Sequence, residues 1–196
     1  MNAPLDESYW SSRWAHQQTS WDIGYPSTPL TSYINALCDH ELRILIPGAG
    51  NGYEAEYLWK RGFSRTWLLD ISHHPLQQFA SRNPDFPLDQ LIHDDFFEHR
   101  GTYDLILEQT FFCALDPALR GHYAQHMHEL LAPRGRLAGV LFSFPLTTEG
   151  PPFGGSEKEY RERFSPLFEL LRLEPCSDSI PPRAGRELFI ELEKMG

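Results

Sequence analysis

The sequence is poor in the features that mark several classes of protein. Its cysteines are few, odd in number and far apart, at Cys38, Cys113 and Cys176, which fits reduced thiols better than a disulfide framework. No apolar run approaches the roughly 18 to 20 residues of a membrane span. The N-terminus lacks the basic start and the apolar core of a signal peptide. These absences predict a cytoplasmic protein that does not cross a membrane.

Positive charge is also scarce. The 196-residue chain carries 17 lysines and arginines against 27 aspartates and glutamates, a net charge of -10, and it has no run of basic residues. Because a phosphate backbone needs basic surface, this balance argues against a nucleic-acid partner. Internal repeats and interdomain linkers are missing too, and the length suits one large domain. We therefore expect a single domain, residues 1–196, that acts as a monomer on a small molecule.

The most informative segment is a glycine-rich turn after a short apolar run, Ile44 to Gly52, which reads I-L-I-P-G-A-G-N-G. Such a turn brings backbone close to a nucleotide-like ligand, since glycine accepts a positive φ and has no side chain in the way. A dinucleotide fingerprint would need a further glycine where Tyr53 stands. The spacing of Gly48, Gly50 and Gly52 is instead typical of S-adenosylmethionine-dependent methyltransferases, with an ordinary tight turn as the alternative.

Further candidate residues follow the next apolar segments, where strands are predicted to end. They are Asp70, Asp94, Asp95, Phe96, Glu108 and Gln109. Asp70, about 20 positions past the glycines, is placed to accept hydrogen bonds from the ribose hydroxyls of an adenosine. After the third segment, a carboxylate such as Asp95 can bind the adenine amino group while Phe96 packs on the ring. Each carboxylate alone could be a helix cap or a solvated turn, but their common placement predicts a cofactor site.

Apolar and polar segments alternate along the chain in the manner of βα units. We expect strands near 44–47, 66–70, 88–93, 103–108 and 136–142. Helices are expected near 8–17, 30–38, 54–61, 75–81, 117–131 and 157–164, with a turn at 133–135. The C-terminal segments F-E-L-L-R-L-E-P and E-L-F-I-E-L-E-K alternate as an antiparallel hairpin does. The fold class is therefore α/β, a Rossmann-like, mostly parallel seven-stranded sheet of class I methyltransferase type, with an N-terminal helical lid arm (1–29) and a core (30–196).

Several motifs resemble one family along nearly the whole chain. They are W-x-x-x-W at Trp10 and Trp14, W-D-I-G from Trp21, I-P-G-A-G-N-G, L-D-I-S, D-D-F-F, T-F-F-C-A-L-D-P-A-L-R from Thr110, and G-P-P-F ending at Phe153. The chain is similar to the family that joins thiopurine S-methyltransferases with plant-type halide and thiol methyltransferases. T-F-F-C-A-L and G-P-P-F resemble the halide/thiol branch more. The resemblance implies S-adenosylmethionine as cofactor. Phe153 departs from the pattern, because that branch often has tyrosine there. If the tyrosine hydroxyl contributes to the chemistry of that branch, this protein lacks the contribution.

Trp10, Trp14 and Trp21 lie in the N-terminal arm, and the first two share a helix face because they are four residues apart. They could simply fasten the arm to the domain. The alternative is a lid over the cofactor, in which indole faces attract the sulfonium cation by about 0.5 to 2 kcal/mol each. The resemblance favours the lid, since the arm matches the family's cofactor-covering segment.

An aromatic acceptor pocket is predicted from Phe111, Phe112, Phe153 and Tyr160, with core packing as the alternative for the phenylalanines. Arg120 matches a family arginine near the substrate, although a solvated helix residue is the other interpretation. No Ser-His-Asp arrangement and no pair of acid–base carboxylates can be argued from the sequence. We therefore assign no catalytic residue.

Three histidines, His122, His126 and His128, fall in one predicted helix. A zinc site would need a third or fourth ligand, preferably cysteine, and none is near in the sequence. We expect exposed helix histidines and no metal.

The sequence thus predicts an S-adenosylmethionine-dependent methyltransferase that acts on a small soft nucleophile, which is a thiol, a halide or thiocyanate. Methylation of thiopurines or other chalcogen compounds is the alternative. A non-catalytic cofactor-binding module is more distant, because such a protein would be expected to lose the glycines or Asp70. An NAD-dependent enzyme is disfavoured by Tyr53 and by the missing second domain.

Overall fold

A seven-stranded sheet with helices on both faces forms the body of the protein, and the computed structural model describes residues 4–196. The helices are α1 (Glu7–Ala15), α2 (Thr28–Ala36), α3 (Tyr53–Lys60), α4 (His73–Arg82), α5 (Arg120–Leu130) and α6 (Glu157–Phe164). The strands are β1 (Ile44–Pro47), β2 (Thr66–Asp70), β3 (Leu91–His93), β4 (Tyr103–Gln109), β5 (Leu131–Phe142), β6 (Phe168–Pro175) and β7 (Glu187–Lys194).

The strand order is β3-β2-β1-β4-β5-β7-β6. Strands β1 to β5 pair in parallel, whereas β7 pairs antiparallel with both β5 and β6. The order changes direction between β1 and β4, so the loops after these two strands diverge and leave a crevice at the carboxyl edge of the sheet. The predicted mostly parallel seven-stranded sheet with a C-terminal antiparallel hairpin is confirmed.

Alternation along the strands divides the core into two layers, one on each face of the sheet. In β4, Leu105 and Leu107 pack with α2, α3 and α4, while Ile106 packs on the other face with α5 and α6. All four residues of β1 are buried, as expected of a parallel strand that helices cover on both faces. The functional side chains of these strands therefore have to come from their carboxyl ends.

Two predicted elements begin later than the sequence indicates. The segment 88–93 starts as a 3₁₀ turn, Leu88–Gln90, and the strand that pairs with β2 is confined to Leu91–His93. The predicted helix 117–131 likewise starts as a 3₁₀ turn, Pro117–Leu119, before α5. In both cases a proline at or just before the turn has no N–H to give to a regular ladder, so the regular element starts after it.

The predicted turn at 133–135 lies inside β5, which is longer than the expected strand at 136–142. There Arg134 has a φ of 61°, and the pairing with β4 shifts register between Tyr103 and Leu105. The sequence at 133–135 therefore does mark a change in backbone direction, but this change is an irregularity within a strand and not a turn before it.

The remaining helices agree with the prediction to within two residues at each end. All of the helices named above are short, and α5 spans 11 residues. Between residues 4 and 196 no helix is both long and apolar enough to cross a membrane.

Gly139 of β5 marks a close contact with β4 and yields a test of the packing. A Cβ added there would lie 2.1 Å from the carbonyl oxygen of Glu108. We expect Gly139→Ala to lower the free energy of unfolding by about 1–3 kcal/mol through overpacking. Gly121→Ala in α5 is the control, because an added Cβ there meets the Arg163 guanidinium at 3.6 Å. That change should stabilise the helix by roughly 0.5 kcal/mol. Urea unfolding measures both, and an unchanged Gly139→Ala midpoint would contradict the contact.

Candidate active site

The carboxyl ends of β1, β2 and β4 border a cleft of about 460 Å³, which is within the usual size of small-ligand pockets. The predicted residues that line it are Trp10, Trp14, Trp21, Gly48, Gly50, Asp70, Asp95, Phe96, Gln109 and Phe111. The predicted residues outside its lining are Gly52, Glu108, Phe112, Arg120, Phe153 and Tyr160. The structure therefore brings together most of the predicted cofactor residues and few of the predicted acceptor-pocket residues.

The glycine turn after β1 forms one wall of the cleft. Gly48 and Gly50 have φ values of +59° and +51°, and a Cβ on Gly48 would lie 2.4 Å from the Phe111 ring. Only glycine therefore lets the turn after β4 approach the turn after β1. Gly52 acts differently, because a Cβ there would lie 2.6 Å from both Leu68 and Phe79. Its contribution is close packing of α3 on the sheet and not a place in the cleft wall.

Asp70, the last residue of β2, joins the glycine turn to the start of α4. Its Oδ2 accepts a hydrogen bond from Gly50 N at 2.9 Å, and its Oδ1 accepts one from Ser72 N at 2.8 Å. The residue is 8% exposed, and this burial raises the pKa of Asp70 to about 6 although the two N–H bonds act in the opposite direction. Because a carboxylate has about four acceptor sites, Asp70 can still accept hydrogen bonds from ligand hydroxyls.

The loop after β3 presents Asp95 and Phe96 to the cleft. Asp95 is exposed, and its Oδ1 accepts from Phe97 N at 2.8 Å, which fixes a tight turn. Phe96 is 4% exposed and packs edge-on against Phe111 with ring centroids 5.0 Å apart. It is therefore a core residue as well as a lining residue. The half-buried Phe97 also lines the cleft and was not predicted.

The three tryptophans of the N-terminal arm pack together over the glycine turn. Trp21 is edge-on to Trp10 and to Trp14, with ring centroids 5.5 and 5.8 Å away. Trp14 is 8% exposed, and a Cβ on Gly50 would lie 3.6 Å from its ring. The arm thus fastens itself by its own aromatic cluster and also covers the cleft.

Polar contacts tie the same arm to separate parts of the core. The Asn51 side-chain amide donates to the Asp22 carboxylate, and the Ser11 and Ser72 hydroxyls are 2.9 Å apart. Arg183, near the C-terminus, donates to the Trp21 carbonyl at 3.0 Å. The position of the arm is therefore set by the glycine turn, by α4 and by the loop before β7.

The end of β4 supplies Gln109 to the cleft and directs Glu108 away from it. Gln109 Oε1 is buried and has no hydrogen-bond partner among residues 4–196, so it can accept from a ligand donor. Glu108 is 0% exposed, and its carboxylate accepts from the N–H groups of Phe111 and Phe112 and from the Tyr123 hydroxyl. Because neighbouring strand residues point to opposite faces, these two could not both reach the cleft.

Four of the five predicted acceptor-pocket residues lie in the core. Phe112 is 1% exposed and packs against Tyr160, whose hydroxyl donates to the Phe142 carbonyl at 2.6 Å. Phe153 is 5% exposed, and its ring occupies the space where Gly150 would carry a side chain. The packing interpretation thus fits these rings, whereas Phe111 lines the cleft.

Arg120 is neither solvated nor part of the cleft lining. It is 1% exposed, and its Nη1 lies 2.9 Å from Glu159 Oε1 while its Nη2 donates to the Gly154 carbonyl at 2.8 Å. Its guanidinium also stacks 4.6 Å from the centroid of the Phe112 ring. This arginine therefore holds the 150–156 loop against α5. The interpretation as a solvated helix residue is wrong, and a position near the substrate stays a prediction.

Several lining residues were missed. They are Thr110, Cys113, Phe142, Pro151, Pro152 and Arg183. Thr110 has a φ of 58°, which is an outlier for a β-branched residue and a frequent mark of a functional turn. Its place in the T-F-F-C-A-L motif was a usable signal. No feature of the sequence pointed to Arg183, because the loop that carries it reaches the cleft only through the pairing of β7 with β5.

The histidines of α5 do not share one environment. His126 is 2% exposed, burial lowers its pKa, and its ring is edge-on to Phe96 at 4.8 Å. The expectation of exposed histidines is therefore wrong for His126, because α5 turns this residue toward the core. Within the described part of the chain, no three His, Cys, Asp or Glu residues form a group that could hold a metal ion.

The sequence matches the thiopurine S-methyltransferase family over residues 5–193. The probable thiol methyltransferase 2 of Arabidopsis thaliana is 31% identical over 184 residues, which cover 91% of this chain and 81% of that protein. Thiocyanate methyltransferase 1 of the same plant is 29% identical over 195 residues, which cover 95% of this chain and 85% of that protein. The family match extends over the arm, the glycine turn and the hairpin.

Among solved structures, the 1,6-didemethyltoxoflavin-N1-methyltransferase of Burkholderia thailandensis, determined with S-adenosylhomocysteine, is similar with a TM-score of 0.76. The two chains are 20% identical, and the match covers 100% of this chain and 94% of the other. This likeness concerns the fold. Together with the family match it leads to one identification: the chain belongs to the thiopurine S-methyltransferase family and is an S-adenosylmethionine-dependent methyltransferase.

Proposed function

We propose that this methyltransferase acts on a small soft nucleophile, which is a thiol, a halide or thiocyanate. The observation that carries the proposal is a part of the cleft lining, Phe111, Phe142, Pro151 and Arg183, which we assign as the acceptor end. The Arg183 side chain is 11% exposed, and its Nη1 lies 3.7 Å from the Glu187 carboxylate. A largely buried guanidinium among apolar walls favours a small anion over a neutral or cationic acceptor.

We place the cofactor at the other end of the cleft, beside the glycine turn. The Asp70 carboxylate accepts from the ribose hydroxyls, Asp95 accepts from the adenine amino group, and Gln109 Oε1 accepts from the ammonium of the methionine part. The buried, unpartnered Gln109 oxygen supports this placement, because a bound ammonium satisfies it. When bound, S-adenosylmethionine supplies a methyl group on a positively charged sulfur.

The protein contributes position and the exclusion of water. Methyl transfer is an in-line displacement, so the main requirement is a nucleophile held behind the methyl carbon. The apolar acceptor end and the tryptophan arm exclude water, which favours a reaction that annihilates two opposite charges. The indoles attract the cationic sulfur before transfer and lose that attraction afterwards, so they contribute to binding and do not by themselves lower the barrier.

A thiopurine or another chalcogen compound is the second candidate acceptor. The family match supports it, whereas the plant relatives named for thiols and thiocyanate support the smaller acceptors. A non-catalytic cofactor-binding module is a third candidate. The intact glycine turn and the buried Asp70 disfavour it, because both would be free to change in a protein that no longer bound the cofactor.

We infer that the protein works as a cytoplasmic monomer without a nucleic-acid or membrane partner. Cys38, Cys113 and Cys176 are all free thiols, which suits a reducing compartment. The net charge of -10 disfavours association with nucleic acid and with anionic lipid surfaces.

Asp70→Asn tests the cofactor site. If S-adenosylhomocysteine binds through ionised Asp70, whose pKa is about 6, its affinity should fall as the pH falls through that value. We expect roughly a tenfold rise in Kd between about pH 7 and pH 5. The variant should bind at least about tenfold more weakly at neutral pH and lose this dependence, because an amide NH₂ cannot accept from Gly50 N–H. Asp89→Asn, at an exposed carboxyl before β3, is the control. Calorimetric Kd values that do not distinguish the two variants would contradict the assignment.

Trp14→Ala tests the lid. Because its indole faces the sulfonium in the proposed complex, we expect S-adenosylmethionine to bind about 2- to 30-fold more weakly to the variant. The cofactor should also change tryptophan fluorescence and protect residues 1–24 from protease. Trp59→Phe is the control, since Trp59 packs on Phe86 outside the cleft lining. If proteolysis of the arm is the same with and without cofactor, the tryptophans only fasten the arm.

A panel of acceptors under methyl-labelled cofactor tests the substrate class. Iodide, thiocyanate, hydrosulfide, benzenethiol, 6-mercaptopurine and catechol are compared at equal concentration. We expect iodide, thiocyanate and the thiols to exceed catechol by at least about tenfold, since thiols ionise near pH 8.5 and phenols near pH 10. Arg183→Gln should raise the KM for thiocyanate by about tenfold, and Arg172→Gln, on an exposed part of β6, should not. Preferential catechol methylation would overturn the proposal, and a preference for 6-mercaptopurine would select the second candidate.

A further inference from the structure

A second and much smaller cavity lies behind the turn that follows β4. It measures about 10 Å³, which is close to the room that one water molecule requires. Two carboxylates, Glu108 and Glu187, border it. Thr110, Cys113 and Phe142 border it too, and these three residues also line the cleft. A wall one residue thick therefore separates the two acids from the place proposed for the methyl acceptor.

Glu108 is an unusual buried carboxyl because its partners are all neutral. Its Oε1 accepts from Phe111 N at 2.8 Å and from Phe112 N at 2.9 Å, and its Oε2 accepts from the Tyr123 hydroxyl at 2.6 Å. Among residues 4–196 no lysine, arginine or histidine forms an ion pair with it. A buried carboxylate without a cation binds a proton readily, since burial penalises its charged form.

Glu187 at the start of β7 is the other acid at this cavity. It is 5% exposed, and Arg183 Nη1 lies 3.7 Å from its Oε1. Burial raises the pKa of the Glu187 carboxyl, as it does for Glu108, so both acids at this cavity bind a proton more readily than exposed carboxylates do. The sequence did not reveal this pair, because Glu108 and Glu187 are far apart in the chain and meet only through the packing of β4, β5 and β7.

We propose that the Glu108–Glu187 pair receives the proton that a neutral thiol acceptor must lose before it is methylated. The inference rests on the proposed function and deepens it, because it names the group that extends the activity from anions to neutral thiols. The proton passes through one water in the small cavity, beside the Thr110 hydroxyl, which itself donates to the Gln109 carbonyl at 2.7 Å. Iodide and thiocyanate carry no such proton and do not need the pair.

The step balances without a further reactant. The S–H bond of the thiol breaks, and an O–H bond forms on the carboxyl pair, so a thiolate is left in the cleft. The thiolate then forms its bond to the methyl carbon while the methyl–sulfonium bond breaks and leaves a neutral thioether. The carboxyl pair returns its proton to solvent after the product has left.

The charges around Glu108 suit this role. Burial raises the pKa of Glu108 to about 7, which is where a proton acceptor works best at neutral pH. The titratable groups near it are Tyr123 from α5, Tyr160 from α6, Cys113 from the turn after β4 and Glu187 from β7, and Arg183 lies beyond Glu187. Burial raises the pKa of the Cys113 thiol and of the Tyr123 phenol as well, so neither of them competes with Glu108 for the negative charge at neutral pH.

The test is the ratio of kcat/KM for 2-mercaptoethanol to kcat/KM for iodide, because a ratio cancels any loss that affects both acceptors. At about pH 7, where the thiol is neutral, we expect Glu108→Gln and Glu187→Gln to lower this ratio, the former by at least about tenfold. Above the pKa of the thiol the ratio should return toward the wild-type value. Glu174→Gln, at an exposed carboxyl on β6, is the matched control. Glu187→Gln leaves the three hydrogen bonds to Glu108 intact, so it remains informative if Glu108→Gln does not fold.

A second readout does not depend on activity. Infrared difference spectra of the wild-type protein should show a buried protonated carboxyl that titrates near neutral pH and is absent in Glu108→Gln. Equal losses for thiol and iodide would overturn the proposal, as would an unchanged ratio or the absence of that band. A ratio that falls instead in Glu54→Gln would assign the proton to Glu54, which also lines the cleft. A wild-type protein that methylates neither acceptor would refute the proposed function itself.

Discussion

The burial of one carboxylate, that of Glu108, governs the shape of the cleft. Its three hydrogen bonds fix the turn after β4 against α5. In that conformation Thr110 takes a positive φ, and the Phe111 ring fills the space that a side chain on Gly48 would need. Because leaving such a carboxylate without its donors costs several kcal/mol, the turn that divides the two ends of the cleft is held as firmly as the core.

In the proposed function, acidic and basic lining residues of the cleft serve the cofactor and the acceptor respectively. Asp70 and Asp95 lie near the glycine turn, where they suit hydroxyl and amino donors. Arg183 also lines the cleft, over the Phe142 ring and 3.7 Å from Glu187, and in the proposed function it attracts the anionic acceptor. The opposite arrangement would repel both a cationic cofactor and a soft anion. A methyl donor and its acceptor can therefore be held at the two ends of one space without competing for the same groups.

The N-terminal arm depends on both ends at once. Its aromatic cluster rests on the glycine turn, while Arg183 holds the Trp21 carbonyl from the acceptor side. The arm therefore contacts both the glycine turn and the loop that carries Arg183. The two interpretations of the tryptophans, fastening the arm and covering the cofactor, are compatible, since the rings that anchor the arm also line the cleft.

The sequence by itself determined the sheet, the glycine turn and the polar residues at the strand ends, because these follow from periodicity and from residue preferences over a few neighbouring positions. It could not distinguish Gln109, which faces the cleft, from Glu108, which faces the core, since the pleat of β4 and its neighbours decides that. It also did not show that Arg120 is buried, because that burial depends on Glu159 and the carbonyl of Gly154. The tertiary structure alone brought Arg183 to the cleft and Glu187 to the small cavity behind it, because the antiparallel pairing of β7 joins residues that are remote in the chain and leave no local pattern.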